Sequence, residues 1–317
     1  MDYLSLSLPE YEKRFSTEEA CLDAIFEARW PNGFVCPRCG HDDGYRLSTR
    51  RVVQCASCRR QASITAGTIF HRTRVPLTYW FKAIYHVAQD KGGISALKLS
   101  NQLATRYETI LKLLRKLRLA MGNREKNLTL AGYIEIDEAF FGGKLKDMEE
   151  GESAVSNKEQ VLILVESEGK HAGNLVMKVV PGGTWDDLKP VFDTSIEQDP
   201  SKNSFRTDGL QAHSALIGLG KLNMTPIPDD LLDLELPTVS TVITLAKRFL
   251  LGTYHHYCKQ NLQLFLDEFC YRWNRRGRNR EQWSQIAHRL IKACSLYSPP
   301  ELLGLRIPQA HLDAFTA

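Results

Sequence analysis

The stretch Tyr133-Ile134-Glu135-Ile136-Asp137 decides the fold of the second half of this 317-residue chain. Its alternation of apolar and acidic side chains predicts a β-strand with Glu135 and Asp137 on one face. Two apolar runs, residues 161–165 and 175–180, predict the next two strands, and residues 168–173 predict the hairpin-like link between them. Three strands in succession therefore begin near residue 132.

Helices and strands alternate after this point. The predicted order is helix, strand with a turn, helix, strand, helix and the start of a long basic helix, over residues 184–196, 204–209, 210–219, 222–227, 237–253 and 261–276. This order predicts a mixed α/β domain. Asp137 ends the first strand and Asp208 ends the fourth, so their carboxylates converge if those two strands are neighbours. Paired carboxylates favour a divalent cation, although a single Asp at a strand end is more often a turn former.

Upstream, Cys36-Pro37-Arg38-Cys39 and Cys55-Ala56-Ser57-Cys58 form two C-x2-C pairs separated by fifteen residues. This spacing predicts a zinc ribbon in which Cys36, Cys39, Cys55 and Cys58 hold a structural Zn2+ ion. The alternative is four unrelated buried or paired cysteines. Six arginines surround the two pairs: Arg38, Arg46, Arg50, Arg51, Arg59 and Arg60. A basic module held by a metal points to nucleic acid.

Between this ribbon and the first strand, residues 95–103 and 107–119 predict two helices joined by a turn at residues 104–106. This is a helix-turn-helix layout, and residues 92–126 carry eight basic and two acidic side chains. An ordinary amphipathic hairpin is the alternative, and the neighbouring basic ribbon favours DNA binding. The predicted DNA contacts in the second helix are Lys112, Arg115, Lys116 and Arg118.

The net charge of +4 conceals a strong asymmetry along the chain. Residues 1–130 carry a net charge of +9, residues 131–235 of −11 and residues 236–317 of +6. Basic ends suit contacts with phosphates, whereas the acidic middle suits metal-binding carboxylates or a solvated surface. No apolar stretch is long enough to span a membrane and no apolar signal core is present, so we expect a cytoplasmic protein.

The chain resembles bacterial insertion-sequence transposases that join an N-terminal zinc ribbon to a DDE-type, RNase H-like catalytic domain (ISXO2-like, and related to Merlin elements). The resemblance extends over about residues 10–280. It is carried by residues 29–34, 36–40, 65–70, 135–144, 207–209, 247–255 and 266–276. It implies an α/β fold with an RNase H-like mixed sheet, preceded by a zinc ribbon and a helix-turn-helix.

The resemblance also assigns residues to the reaction. Asp137 and Asp208 match the first two catalytic carboxylates and would hold Mg2+ or Mn2+. Lys247 matches a basic residue that contacts the DNA at the transposon ends. The third catalytic position lies seven residues earlier, where relatives carry Glu, Asn or His and this chain carries Ser240.

Serine is a poor metal ligand and a poor base, so three outcomes are open at this position. In the first, the two aspartates suffice for the reaction, with Ser240 acting through a water molecule. In the second, Glu235 or Glu268 takes the place of the third ligand. In the third, the chain is a degenerate copy that binds DNA without cutting it. Glu268 is interpreted first as structural support. The acidic run at residues 229–235 is interpreted as a solvated loop.

The predicted domains are the N-terminal helix and zinc ribbon (1–70), the helix-turn-helix region (71–126), the RNase H-like transposase domain (127–285) and a C-terminal tail (286–317). The predicted function is metal-dependent cleavage and strand transfer of an insertion sequence, by a chain that binds transposon-end and target DNA as a homo-oligomer. The alternative is a catalytically degenerate, transposase-derived DNA-binding protein; a zinc-ribbon transcription factor is a weaker third reading. Further predicted DNA contacts are Lys247, Arg248, Arg272, Arg275 and Arg276, although the last three also fit a solvated helix packed through its aromatic side chains.

Overall fold

The computed structural model describes residues 6–47, 50–90, 92–142, 158–169, 171–209, 211–224, 227–228, 231–254, 259–276 and 280–297. Within these ranges no helix has the length and apolar character needed to cross a membrane. The chain divides into two compact units. The first unit comprises residues 1–89, 99–120 and 279–317, and the second comprises residues 90–98 and 121–278.

The helices are α1 (Leu8–Arg14), α2 (Glu18–Arg29), α3 (Leu77–Gln89), α4 (Ala96–Gln102), α5 (Tyr107–Glu125), α6 (Trp185–Ser195), α7 (Leu232–Glu235), α8 (Pro237–Thr253), α9 (Leu262–Trp273) and α10 (Arg280–Leu296). The strands are β1 (Gly44–Leu47), β2 (Val52–Cys55), β3 (Gln61–Ser63), β4 (Gly132–Phe141), β5 (Glu159–Glu168), β6 (His171–Val180), β7 (Asn203–Thr207) and β8 (Lys221–Asn223). Short 3-10 helices cover Pro200–Lys202, Gln211–Leu219 and Lys259–Asn261.

The first unit is a helical assembly that carries the ribbon sheet. Helix α10 packs against α2 and α3, so the last described helix completes the N-terminal unit. Aromatic side chains fill its core: Tyr11 and Phe15 lie against each other, and Phe81 contacts Phe15 and Phe70. The ribbon is a three-stranded antiparallel sheet in the order β1-β2-β3.

Helices α4 and α5 lie where two helices joined by a turn were predicted, and their role in DNA binding stays a prediction. The chain turns between them at Ala104, whose φ of 47° lies in the left-handed region. The backbone N–H of Thr105 donates to the carbonyl of Ser100 across this turn at 3.0 Å.

The second unit is built on a five-stranded mixed sheet in the order β6-β5-β4-β7-β8. Strand β5 is antiparallel to both β4 and β6, whereas β7 runs parallel to β4 and β8 runs parallel to β7. Helix α6 connects β6 to β7. This order confirms the expected RNase H-like α/β fold, with the first strand of the domain at the centre of the sheet.

Both faces of this sheet are covered, which makes three layers. Helices α8 and α9 pack on one face, and α6 with the 3-10 helix Gln211–Leu219 packs on the other. Strand β4 contributes to both layers because its side chains alternate. Ile134 and Ile136 enter the α6 layer, and Ala139 and Phe141 enter the α8 layer.

Two predicted elements end earlier than expected. The long basic helix expected from residue 261 stops at Trp273. The side chain of the next residue, Asn274, bonds to the backbone N–H and carbonyl of Leu175 in β6, at 2.7 and 2.9 Å. The strand expected at residues 222–227 is confined to β8, and residues 225 and 226 lie outside the described residues.

The four-part domain division remains a prediction. Helix α10 crosses the predicted boundary at residue 286 and belongs to the first unit, and the part of the predicted tail after residue 297 lies outside the described residues.

Candidate metal and catalytic site

Parallel pairing of β4 with β7 brings the two predicted aspartates together. Ile136 pairs with Thr207, so Asp137 and Asp208 follow side by side at the same edge of the sheet. One oxygen from each of Asp137, Glu138 and Asp208 lies within 4.8 Å of the others. Asp137 and Asp208 therefore converge, as expected if their strands were neighbours. The expectation that Asp137 ends its strand is wrong, because β4 continues to Phe141.

The electrostatics of this edge suit a divalent cation. Burial, reinforced by repulsion from Asp208, raises the pKa of Asp137 to about 7, although a hydrogen bond from the Glu138 backbone opposes this shift. That hydrogen bond joins the Glu138 N–H to Asp137 Oδ1 at 2.8 Å. Crowded carboxylate oxygens are the ligands that Mg2+ and Mn2+ prefer, so the residues present fit such an ion.

Sequence reasoning missed Glu138 and His213 as members of this site. His213, on the 3-10 helix Gln211–Leu219, is fully buried, and its Nε2 donates to Glu138 Oε1 at 2.9 Å. Its Nδ1 lies 3.7 Å from Asp208 Oδ1. Adjacent side chains of a strand point to opposite faces of the sheet, so the sequence does not predict that Glu138 and Asp137 share a site. No sequence signal marked His213.

Glu135 positions the helix that carries Ser240 and Lys247. The carboxylate of Glu135 is buried, and its Oε2 accepts the backbone N–H groups of Thr238 and Val239 at 2.9 Å each. These two N–H groups belong to the first turn of α8 and have no acceptor within the helix. A negative charge is also favourable at this end of a helix. Strand β4 thus holds the start of α8 directly beside the position of Asp137.

The two glutamates considered as replacements for the third ligand are engaged elsewhere. Glu235 Oε2 lies 2.8 Å from Nη2 of the buried Arg206. Glu268 is 2 % exposed and lies 2.8 Å from Nη2 of Arg272, and it also accepts from Tyr254. Among the described residues, neither belongs to the carboxylate group of Asp137. The role of Ser240 stays a prediction. The loop expected at residues 229–235 is wrong in its second half, where Leu232–Glu235 forms α7, and Asp229 and Asp230 lie outside the described residues.

Lys247 and Arg248 are exposed on α8. The Lys247 Nζ lies 5.7 Å from the ring centroid of Phe141, at the end of β4. The ammonium group of this lysine therefore lies near a ring of the strand that carries Asp137, and its exposed side chain is accessible to a phosphate.

The other predicted DNA contacts divide by exposure. On α5, Lys112 is exposed and Arg115 half-buried, whereas Arg118 is 5 % exposed. Lys116 donates to the carbonyl of Ile69 at 3.4 Å and lies over the Trp80 ring, and burial lowers its pKa.

The predicted contacts on and after α9 have protein partners. Arg272 is paired with Glu268, and Arg275 stacks on Tyr271 and pairs with Glu125 at 2.6 Å. Arg276 stacks on Trp273 and donates to the carbonyls of Ala172 and Gly173. These contacts match the structural alternative left open for this run, and a DNA contact by any of the three stays a prediction.

The four cysteines of the ribbon form a cluster that fits structural zinc. Their Sγ atoms all lie within 4.8 Å of one another, with Cys36 to Cys58 at 3.6 Å and Cys39 to Cys55 at 3.7 Å. A tetrahedral Zn2+ with Zn–S bonds of about 2.3 Å places its sulfur atoms about 3.8 Å apart. Desolvation alone would raise the pKa of Cys36, but hydrogen bonds from the backbone of Cys39 and Arg38 outweigh it and lower that pKa to about 6.

Two family models match the chain, one over each cluster. The transposase zinc-ribbon domain matches residues 16–61, and the ISXO2-like transposase domain matches residues 129–274. Together they cover more than half of the sequence. Both matched domains are transposase domains. The resemblance inferred from the sequence is thus confirmed, and the cysteine and carboxylate clusters each lie inside a transposase domain.

One curated relative of this chain is an uncharacterized protein in transposable element ISH50 of Halobacterium salinarum. It is 29% identical over 140 residues, which cover 43% of this chain and 46% of the relative. The matched segment thus spans about half the length of that relative. Among solved structures, chains from a pre-cleavage Mos1 transpososome and from the Mos1 strand transfer complex are similar at 11% and 12% identity. In each case 69% of this chain and 78% of the other are covered, with a TM-score of 0.25.

Proposed function

We propose that this chain is a DNA transposase that cleaves the ends of an insertion sequence and transfers them to target DNA. The observation that carries the proposal is the convergence of Asp137 on β4 with Asp208 directly after the neighbouring parallel strand β7, inside a segment that matches the ISXO2-like transposase domain. Carboxylates that lie this close together repel the phosphates of DNA. They can act on a DNA substrate only when a cation lies between them and the phosphate.

Asp137 and Asp208 would hold Mg2+ or Mn2+. Such an ion, when bound, activates an attacking oxygen and stabilises the leaving oxygen of an in-line displacement at phosphorus. Hydrolysis would release a 3′-hydroxyl at the end of the element, and this hydroxyl would then attack a phosphodiester of the target. Each displacement forms one P–O bond and breaks another, so no covalent link to the enzyme is required.

The residues of the chain bind and orient the DNA. Lys247 and Arg248 on α8 are exposed next to the strand that carries Asp137, and they would contact the backbone phosphates of the transposon end. On α5, Lys112 and Arg115 are the accessible members of the predicted recognition helix. Four exposed arginines extend the basic surface of the zinc ribbon: Arg38, Arg50, Arg59 and Arg60.

Joining two ends of one element requires both ends in one complex. We therefore include a homo-oligomer of this chain, bound to two transposon ends, in the proposal. It would assemble on DNA, so its test is the stoichiometry of the protein–DNA complex on end duplexes rather than of the free protein.

A second candidate function is DNA binding without cleavage, by a transposase-derived protein. Ser240 favours it, because a neutral hydroxyl stands where relatives carry a residue that binds a metal or a proton. Under this alternative the zinc ribbon, α4 and α5 keep their role while the metal site has lost its activity.

Strand transfer by the purified full-length chain on a labelled transposon-end duplex with Mn2+ tests both candidates. Under the proposal the natural protein transfers strands, Asp137→Asn abolishes transfer, and DNA binding by Asp137→Asn is unchanged. A natural protein that binds the duplex without cutting it, and that gains activity through Ser240→His or Ser240→Glu, would establish the second candidate. Transfer that survives in Asp137→Asn would remove the catalytic assignment of Asp137.

A further inference from the structure

The position of Ser240 leaves the proposed metal site with two carboxylates, yet a third lies within reach. Glu138 contributes an oxygen within 4.8 Å of the oxygens of Asp137 and Asp208, and this group is the carboxylate cluster found among the described residues. Glu138 follows Asp137 directly, so the central strand β4 supplies two of the three carboxylates.

Glu138 is held in this place from the opposite face of the sheet. Its side chain is 9 % exposed, and the fully buried His213 donates to its Oε1 at 2.9 Å. The ring of His213 packs edge-on against Phe192 of α6, with centroids 6.2 Å apart. The histidine is therefore fixed by the α6 layer and sets where the Glu138 carboxylate lies.

The second nitrogen of His213 points towards the same site. Its Nδ1 is buried, has no hydrogen-bond partner among the residues that the structure describes, and lies 3.7 Å from Asp208 Oδ1. This distance is too long for a hydrogen bond. A buried polar atom aimed at a carboxylate group is typical of a residue that supports a ligand-binding site, since buried polar atoms are otherwise satisfied.

We propose that Glu138 is the third carboxylate ligand of the divalent-metal site, in the place of the group missing at Ser240, and that His213 is its positioning residue. This proposal takes the identity of the metal from the proposed function. What it adds is the set of residues that bind the metal. Histidines that hydrogen-bond a metal-binding carboxylate fix its orientation, as second-layer contacts do in metal sites generally. Ser240 contributes no charge to the site, so its removal leaves the ligand set intact.

Binding of Mn2+ to the full-length, zinc-loaded protein tests the ligand set without reference to activity. Free Mn2+ is followed by its EPR signal during titration of the natural protein, Asp137→Asn, Glu138→Gln, Ser240→Ala and Glu168→Gln. Glu138→Gln keeps the shape and the bond from His213 but removes the charge, and Glu168→Gln removes an exposed carboxylate from the far end of β5. We expect Glu138→Gln to weaken Mn2+ binding as Asp137→Asn does, while Ser240→Ala and Glu168→Gln bind as the natural protein does.

Two further variants separate a ligand from a residue that only supports the fold. His213→Gln should weaken Mn2+ binding by about tenfold, in the range seen for second-layer partners of metal ligands. Glu138→Asp keeps the charge but withdraws it by one methylene, so its affinity should lie between those of the natural protein and of Glu138→Gln. Should Glu138→Gln fail to fold in thermal melts, Glu138→Asp decides the matter, and an affinity equal to that of the natural protein would overturn the proposal.

Strand transfer, measured on the same preparations, separates this inference from the proposed function. A natural protein that binds Mn2+ through Glu138 but transfers no strand supports the ligand set and removes the catalytic function. A natural protein that transfers strands, with Glu138→Gln binding Mn2+ at unchanged affinity, keeps the function and overturns the ligand set. Loss of Mn2+ binding in Ser240→Ala would also overturn it, because Ser240 would then be a ligand.

Discussion

The buried carboxylate of Glu135 accepts the backbone N–H of Val239 at 2.9 Å, and through the same oxygen it accepts the N–H of Thr238. Glu135 lies two residues before Asp137 on β4, and Val239 directly precedes Ser240 on α8. One side chain therefore fixes the distance between the strand of the metal site and the helix that carries Ser240 and Lys247. The anchor was not deduced from the sequence, which showed only that Glu135 and Asp137 share a face.

Removing this anchor should destabilise the second unit. Glu135→Ala leaves two helix N–H groups without their acceptor in a buried place, a change worth about 2–4 kcal/mol of the free energy of unfolding. Glu135→Gln keeps one acceptor oxygen and should cost less. Urea unfolding measures both, with the exposed Glu168→Ala expected to change stability by no more than about 0.5 kcal/mol. Equal stabilities for Glu135→Ala and Glu168→Ala would contradict the anchoring role.

Asp137 should make the stability of the metal-free protein depend on pH. Its folded-state pKa of about 7 lies above the ordinary value of about 3.9 for an unfolded Asp. The folded state therefore binds the proton more tightly, and stability falls as pH rises from about 4 to about 7. The ionised Asp137 then opposes folding at pH 8 by up to about 4 kcal/mol, at about 1.4 kcal/mol per pKa unit.

Asp137→Asn removes this cost. Its melting temperature without divalent metal should exceed that of the natural protein at pH 8, and the difference should shrink by more than half at pH 5. Addition of Mg2+ at pH 8 should raise the melting temperature of the natural protein but not that of Asp137→Asn. Differential scanning fluorimetry over this pH range is sufficient, and a difference between the two proteins that is independent of pH would contradict the shifted pKa.

The elements that the sequence predicted most closely are those with local signals. Helix α8 was expected at residues 237–253 and is found there, because Pro237 starts it and buried residues recur at helical spacing: Val239, Val242, Ala246, Phe249 and Leu250. Strand β4 was likewise marked by its alternation. The pairing of β4 with β7 was only a condition in the sequence argument, and the structure meets it, so Asp137 and Asp208 converge.

What the sequence did not reveal depends on contacts between distant residues. The side chain of Asn274, at the end of α9, bonds to Leu175, 99 residues away in the chain. Glu138 enters the carboxylate group because His213, 75 residues later, holds it. The burial of Arg118 and Arg272 also has no local signal, because an arginine on an amphipathic helix looks the same in the sequence whether it meets DNA or a buried glutamate.

The zinc site should be required for the fold of the ribbon. Cys36→Ser removes one of four thiolates, so the protein should lose its zinc and the three-stranded sheet of β1, β2 and β3 should unfold, since small metal sites supply folding energy directly. Cys21→Ala is the matched control, because Cys21 is buried in α2 outside the cluster. Zinc content by elemental analysis should fall in the first variant and stay constant in the second. Unchanged zinc in Cys36→Ser would mean that the cluster is not the zinc site.

Exposure should decide which basic residues contact DNA. Lys247 is exposed on α8, so Lys247→Ala should weaken binding to transposon-end duplexes and reduce the slope of log affinity against log salt by about one. Arg272 is 5 % exposed and holds the buried Glu268, so Arg272→Ala should leave the salt slope unchanged. The second variant should instead lose about 3–5 kcal/mol of stability, because it leaves a buried carboxylate without its partner.

Fluorescence anisotropy over a salt series and urea unfolding of both variants separate these effects. The stability of Lys247→Ala should change little, because its side chain lies at the surface and its contact with Phe141 is a weak cation–π contact of about 0.5–1 kcal/mol. A changed salt slope in Arg272→Ala, measured at a temperature where that variant is folded, would place Arg272 against the DNA. The basic run after Tyr271 would then belong to the DNA-binding surface rather than to the packing of α9 against β6.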